Sequence, residues 1–460
     1  MAQRGRAGIN IFDDSKPMWR LFLVFLIPLM LSNILQSASQ TLNSIFLGRM
    51  IGVDALAAVS SLFPILFLLI SFVIGLSSGS TVLIGQAFGA QDFHKMKKVA
   101  GTTLSVSIIL GVVIGALGYF FSRELLAAIR TPANILDDAA AYARIIFLML
   151  PIFFPYLVYT TFLRGTGDSK TPFYFLIIGT VLAVIATPAL IRGWLGLPQL
   201  GVTSAAVAGF FANTVSLAAL LIYLARVNHP LAFDRETFSD LKIDWKIFVA
   251  VVKIGIPTAI QIITVALAEI AVITFVNRFG SNATAAYGAV NQVVGYVQFP
   301  AISIGIAGSI FGAQCIGARR EDKLNSVVRS AVALNYIIGG VIIVLCYVFA
   351  WSILGWFITD PGTLTIAHTL LMITLWGYAL YGNSAVLSGI MRSSGAVLWP
   401  TTFSIFSIAL IEVPVAYFLM QKIGLDGVWY GYPAAFAVSL TLQFLYYTFV
   451  WKKRTHERLI

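Results

Sequence analysis

The chain of 460 residues is 59% hydrophobic and 11% charged, with a mean hydropathy of +0.90, far outside the range of soluble globular domains. Its net charge of +11 does not indicate a nucleic-acid partner, because a basic face needs an ordered polar domain to display it and the connections here are short. Two cysteines without a pairing pattern and four scattered histidines support neither a disulfide framework nor a metal site.

In chain order, apolar runs predict an all-α membrane protein with twelve spans, at about 18–45, 54–78, 99–121, 139–163, 172–192, 201–225, 248–277, 283–311, 330–352, 364–390, 400–420 and 428–450. Each is long enough to cross roughly 30 Å of hydrocarbon at about 1.5 Å per residue. Helices are required, because backbone amides in lipid must bond within their own segment and the runs lack the alternation of barrel strands. The polar opening "MAQRGRAGINIFDDSKPMWR" precedes a run too long for a signal peptide and is read as a retained tail.

Basic residues set the orientation. With the N-terminus inside, all of the 30 Lys and Arg but Arg49, Arg123, Arg130, Arg144, Arg192, Arg278 and Lys422 fall on the cytoplasmic side. Both termini are then cytoplasmic, in the inner membrane of a cell. The long connection 225–246 divides the chain into a first lobe (1–225), a linker (226–247) and a second lobe (248–460).

The lobes repeat one another. "IGQAFGAQ" at 84–91 returns as "GAQCIGAR" at 312–319, pairing Gln86 with Gln314 at an offset of 228. The same offset pairs Gly52 with Gly280, Ala55 with Ala283, Tyr119 with Tyr347, Arg164 with Arg392, Gly167 with Gly395 and Pro172 with Pro400. A register held without a gap over that distance indicates two copies of one six-helix unit. Six crossings return the chain to the side it started from, so the copies are parallel repeats. Two such bundles would enclose a cavity and expose it to each side in turn by rocking. A packed scaffold or a membrane-embedded enzyme is the alternative, but no catalytic spacing of Ser, His, Asp or Cys appears within the spans.

"NSIFLGRMIG", "IGQAFGAQD", "LRGTGDSKTP" and its echo "MRSSG" together resemble the multidrug and toxic compound extrusion (MATE) transporters of prokaryotes, in order and over nearly the whole chain. The resemblance implies two lobes of six helices and export of bulky amphipathic, often cationic compounds against inward flow of H⁺ or Na⁺, with no other cofactor. Small amphipathic substrates and the bilayer are the expected partners, nucleic acid is not, and a monomer is expected. A lipid or lipid-linked oligosaccharide flippase of the wider superfamily is the alternative, but such proteins commonly line the cavity with cations, nearly absent from these spans.

The loop motifs have roles of their own. In "RGTGDSKTP" the glycines permit a tight turn, Pro172 suits a helix start, and Asp168 lies within reach of Arg164 or Lys170. Arg164 and Arg392 are read as structural or gating residues. Gln86 and Gln314, at matching helix ends, are read as architectural and as a latch on the inward gate.

Members resembling this chain often carry an Asp late in helix one, where Asn43 stands here, and an Asn and an Asp on helix five, where Ala183 and Thr187 stand. An amide carries no proton, so the first lobe is a poor proton site. Two acids remain in the spans of the second lobe. Glu269 lies on helix seven, opposite Gln40 or Thr41 by the repeat, and Glu412 lies on helix eleven, near Ala186. An ionisable residue at the bilayer centre costs roughly 2.5–3.5 kcal/mol, which points to function. Two carboxylates close together in low dielectric cannot both ionise easily, and so suit a proton; if both stay ionised, hydroxyls such as Thr264 or Ser407 could complete a shell for sodium. The bland alternative pairs Glu269 with Arg278 or turns it to the outer interface. Gln261, Gln292, Tyr378 and Tyr381, with Asn43, are candidates for the substrate cavity, against ordinary interhelical packing.

Overall fold

The computed structural model describes residues 8–233 and 241–460; Arg4, Arg6 and Arg235, assigned above to the cytoplasmic side, lie outside them. Among the described residues the long helices are α1 (Met18–Met50), α2 (Phe63–Gly89), α3 (Phe93–Ala128), α4 (Leu136–Gly165), α5 (Lys170–Arg192) and α6 (Ser204–Arg226). The second set comprises α7 (Trp245–Val276), α8 (Ser281–Gly317), α9 (Glu321–Val348), α10 (Pro361–Thr374 and Gly377–Arg392), α11 (Leu398–Ile423) and α12 (Gly431–Phe449).

Among the described residues eleven helices are long and apolar enough to span a membrane singly, and α10 makes twelve if its two segments, bent by 46°, form one span. The span expected over 364–390 is made of these two segments. Its polar, Gly-containing stretch around Trp376 and Gly377 interrupts the helical ladder, and the Tyr347 hydroxyl accepts from the freed Trp376 amide at 3.0 Å. The second span also begins later than the apolar run suggests. Val53–Ser61 is a separate short helix, and Pro64 in the first turn of α2 has no amide to continue the ladder from it.

The repeat is written into the backbone as well as the side chains. Gly52 and Gly280 open their helices at φ +138° and +93°, and Gly167 and Gly395 turn at +85° and +78°. Gln91 and Arg319 both take left-handed conformations at φ +60° and +56°, and Phe121 and Phe349 break their helices at φ near −105° and −102°. Each pair is 228 residues apart, so the shared offset records shared geometry.

Contacts divide the chain into two compact units, Met1–Ile9 with Leu31–Gly255, and Asn10–Met30 with Ile256–Ile460. The leading half of α1 belongs to the second unit, where Phe22 and Phe25 pack on Phe311 at 4.8 and 5.4 Å between ring centres. The leading half of α7 belongs to the first, where Gly79 and Gly255 let α2 and α7 approach so closely that a Cβ would stand 2.3 Å from the Val251 carbonyl and 2.8 Å from that of Gly75.

Among the described residues the second unit holds π turns at Asn335–Gly339 in α9 and at Ser407–Glu412 in α11. The equivalent stretches of the first unit, 107–111 and 179–184, are α-helical. A π turn accommodates one residue more than an α turn and is commonly found at functional sites.

Candidate ion-coupling site

Glu269 lies in the last third of α7. Its Oε2 accepts hydrogen bonds from the Tyr287 hydroxyl of α8 and from the Tyr432 hydroxyl of α12, the latter at 3.1 Å. The two phenols are 2.9 Å apart. Tyr287 stacks on the buried Trp429 ring at 6.0 Å, Asn291 stands beside its hydroxyl, and both tyrosines are part of the apolar core around Val272, Val290, Leu371 and Trp429. A carboxylate with two phenolic donors is held in place rather than turned to lipid, and charge-assisted bonds of this kind are roughly twice as strong as neutral ones.

Glu412 closes the π turn of α11 and is only 4% exposed. It stands close enough to Glu269 for the two charges to repel each other. Tyr378, from the second segment of α10, lies within electrostatic reach of both carboxylates and beside Gln298. Gly431 lets α12 approach the Glu412 backbone: a Cβ there would meet the Glu412 carbonyl at 2.7 Å.

The structure thus brings together Glu269, Glu412 and Tyr378 of the residues singled out in the sequence. Tyr381 packs with Tyr378 and Phe436 at ring distances of 6.1 and 5.2 Å. Gln261 is half-buried and Gln292 exposed. Arg278 lies over the Phe275 ring at 5.9 Å, and the groups bonded to Glu269 are tyrosines. Tyr287 and Tyr432 escaped the sequence reading; only their residue type, in spans otherwise poor in polar groups, could have flagged them. Thr264 and Ser407 bond to the carbonyls of Ile260 and Phe403 in their own helices, each at 2.8 Å.

In the first unit, Thr187 donates to Ala183 O at 2.8 Å and to Asn43 Oδ1 at 3.3 Å. The three positions read from the family pattern meet there, as a neutral pair. Gln86 and Gln314 are both buried, and their carbonyls accept the amides of Ala90 and Ala318 at 2.9 Å in each copy. Arg164 and Arg392 are half-buried at the ends of α4 and α10. Asp168 is corrected: rather than pairing with Arg164 or the Lys170 ammonium, its Oδ1 accepts the backbone amides of Lys170 and Thr171, both at 3.0 Å. It caps α5, because a short carboxylate beside a helix start finds the orphan N–H groups before a flexible cation.

The family model described as MatE matches this chain twice, over residues 28–189 and 257–418. The probable multidrug resistance protein YoeA of Bacillus subtilis is 54% identical over 449 residues, 97% of each chain. The multidrug export protein MepA of Staphylococcus aureus is 23% identical, over 91% of this chain and 90% of that one. A crystal structure of a mutant of the Vibrio cholerae MATE transporter VcmN shares the fold at a TM-score of 0.86 and 19% identity, covering 95% of this chain and 97% of that one. With two matched copies in one all-helical membrane chain, this protein belongs to the MatE family, whose members are transporters and not enzymes.

Proposed function

We propose that this chain exports small amphipathic organic compounds across the cell membrane by alternating access, and that inward proton movement through the second unit drives it. The similarity to a probable multidrug resistance protein and to a multidrug export protein supports the transported class. The bias of Lys and Arg towards one set of connections supports an orientation with both termini in the cytoplasm.

One observation carries the coupling reading: Glu269 is bonded to two phenols inside a hydrocarbon-spanning unit, with a second acid, Glu412, within electrostatic reach. Two carboxyl groups within reach of each other, with two phenols to bond, offer a place where a proton can be taken up and given back. Occupancy by that proton changes what Tyr287 and Tyr432 bond to, and so gives α7, α8 and α12 two hydrogen-bonding states. Asn43 and Thr187, the polar pair of the first unit about one turn from the equivalent positions, hold no titratable group. An ion can bias a conformational equilibrium only by binding one state better than the other, and a site shared by three helices provides that difference.

Proteoliposomes loaded with a pH-sensitive dye and given an ethidium gradient test this. Wild-type protein moves protons with ethidium after a pH jump, and Glu269→Gln and Glu412→Gln each reduce that movement at least about tenfold, a barrier of roughly 1.4 kcal/mol. Undiminished exchange in the double amide variant, or exchange that follows a sodium jump and ignores pH, overturns the proton reading.

A further inference from the structure

The burial pattern of α11 changes period at the π turn. Thr401, Ser404 and Ser407 are buried three residues apart, the next buried position is Glu412, five on, and Ala416 and Met420 then follow at intervals of four. In an unbroken α-helix a residue five positions on would point about 140° away. The wider π turn brings Glu412 back over Ser407, so one buried face carries the acid and three hydroxyls below it. From Glu412 to Thr401 that face covers about 15 Å of helix, towards the end bearing the basic connections.

Across from it, α12 contributes Gln443 and Ser439. Gln443 Nε2 donates to Ser404 Oγ at 3.1 Å and approaches Ser439 Oγ at 3.5 Å, and Ser439 shares a 2.8 Å bond with Ser384 of α10. Two atoms of this array have open capacity. Gln443 Oε1 and Thr401 Oγ1 are buried with no protein partner, although the residues are 1% and 4% exposed. Buried polar atoms of this kind are ordinarily bonded to ordered water.

We propose that this array is the inward exit route of the coupling proton, a hydrated ladder from Glu412 past Ser407, Ser404 and Gln443 to Thr401. It rests on the coupling role given to Glu412 above. Glu412 gives its proton to a water held on the ladder and remains as carboxylate. The proton passes by exchange of O–H bonds between successive waters and enters cytoplasmic solvent, and no other bond changes. The serines, Thr401 and Gln443 are positioning residues that hold the water file.

The test uses the full chain in proteoliposomes, with ethidium-dependent proton movement read by an internal dye and ethidium affinity read separately by fluorescence anisotropy. Thr401→Val keeps the shape and removes the hydroxyl, and Gln443→Leu removes the amide. Each slows proton movement about tenfold and raises the H2O/D2O rate ratio, while ethidium affinity stays within about twofold. Thr401→Ser recovers the rate. Should Gln443→Leu fail to fold, the Thr401 pair decides alone. Wild-type proton movement in Thr401→Val, with Glu412→Gln inactive, overturns the ladder and leaves the coupling reading standing. Full movement in Glu412→Gln overturns both, and loss of ethidium affinity in step with proton movement assigns the array to packing and overturns the ladder.

Discussion

His229 shows how a single buried group sets a pH limit on the structure around it. It follows α6, is 8% exposed, and its Nδ1 accepts the Leu231 amide at 3.0 Å. The Leu231 carbonyl in turn accepts the Tyr159 hydroxyl, which ties the segment to α4. Burial holds the imidazole neutral down to about pH 4, against an opposing pull from Asp168. In the opened segment it titrates near 6.5 and binds the proton more readily, so protonation favours opening. The contribution is complete above about pH 6.5 and is lost as pH falls towards 4. At pH 5 this amounts to about 2 kcal/mol. Exchange of the Leu231 amide with deuterium, compared at pH 7 and 5 after correction for intrinsic rates, should show this weakening, and His229→Phe should remove the pH dependence.

Among the elements, α11 and α12 are matched through backbone as much as side chains. Gly431 admits the Glu412 carbonyl, and a methyl group there would also press on Ala416 Cβ at 3.1 Å. Gly431→Ala should therefore destabilise the second unit by about 1–3 kcal/mol, seen as a lower melting temperature in detergent. Gly209→Ala in α6, where a Cβ meets nothing within 4 Å, is the matched control and should leave it unchanged. The π turn extends the same argument. The π-helix is rare, and its presence in one repeat but not in the other sets Glu412 apart from its counterpart in α5.

For the whole molecule, the bent helix α10 decides parity. Counted as one span it gives twelve crossings and returns both ends to one side; as a re-entrant pair it leaves eleven and separates them. Trp356, 81% exposed between α9 and α10, and Lys453, after α12, report the difference. In a background without Cys315 and Cys346, Trp356→Cys should react with an impermeant maleimide from outside intact cells. Lys453→Cys should react only after the membrane is opened. Labelling of Lys453→Cys from outside would refute the proposed orientation.

The spans, the repeat and the two isolated acids were legible in the chain because each is a local signal: hydropathy over one helix, identity at a fixed offset, or a charge among apolar neighbours. The family motifs added which positions to compare, and Asn43, Ala183 and Thr187 do meet. The acid–phenol cluster was not legible, because Tyr287 and Tyr432 stand 18 and 163 residues from Glu269, and periodicity says nothing about which helix faces which. Nor was the face presented by Glu412, since counting in 3.6-residue turns puts it on the wrong side of α11. Sequence alone determined a duplicated bundle of membrane helices, since the cost of unbonded amides in lipid allows little else. Tertiary packing decided which groups surround each acid, because a hydrogen bond depends on position in space and a one-residue change in helical register moves a side chain to another face.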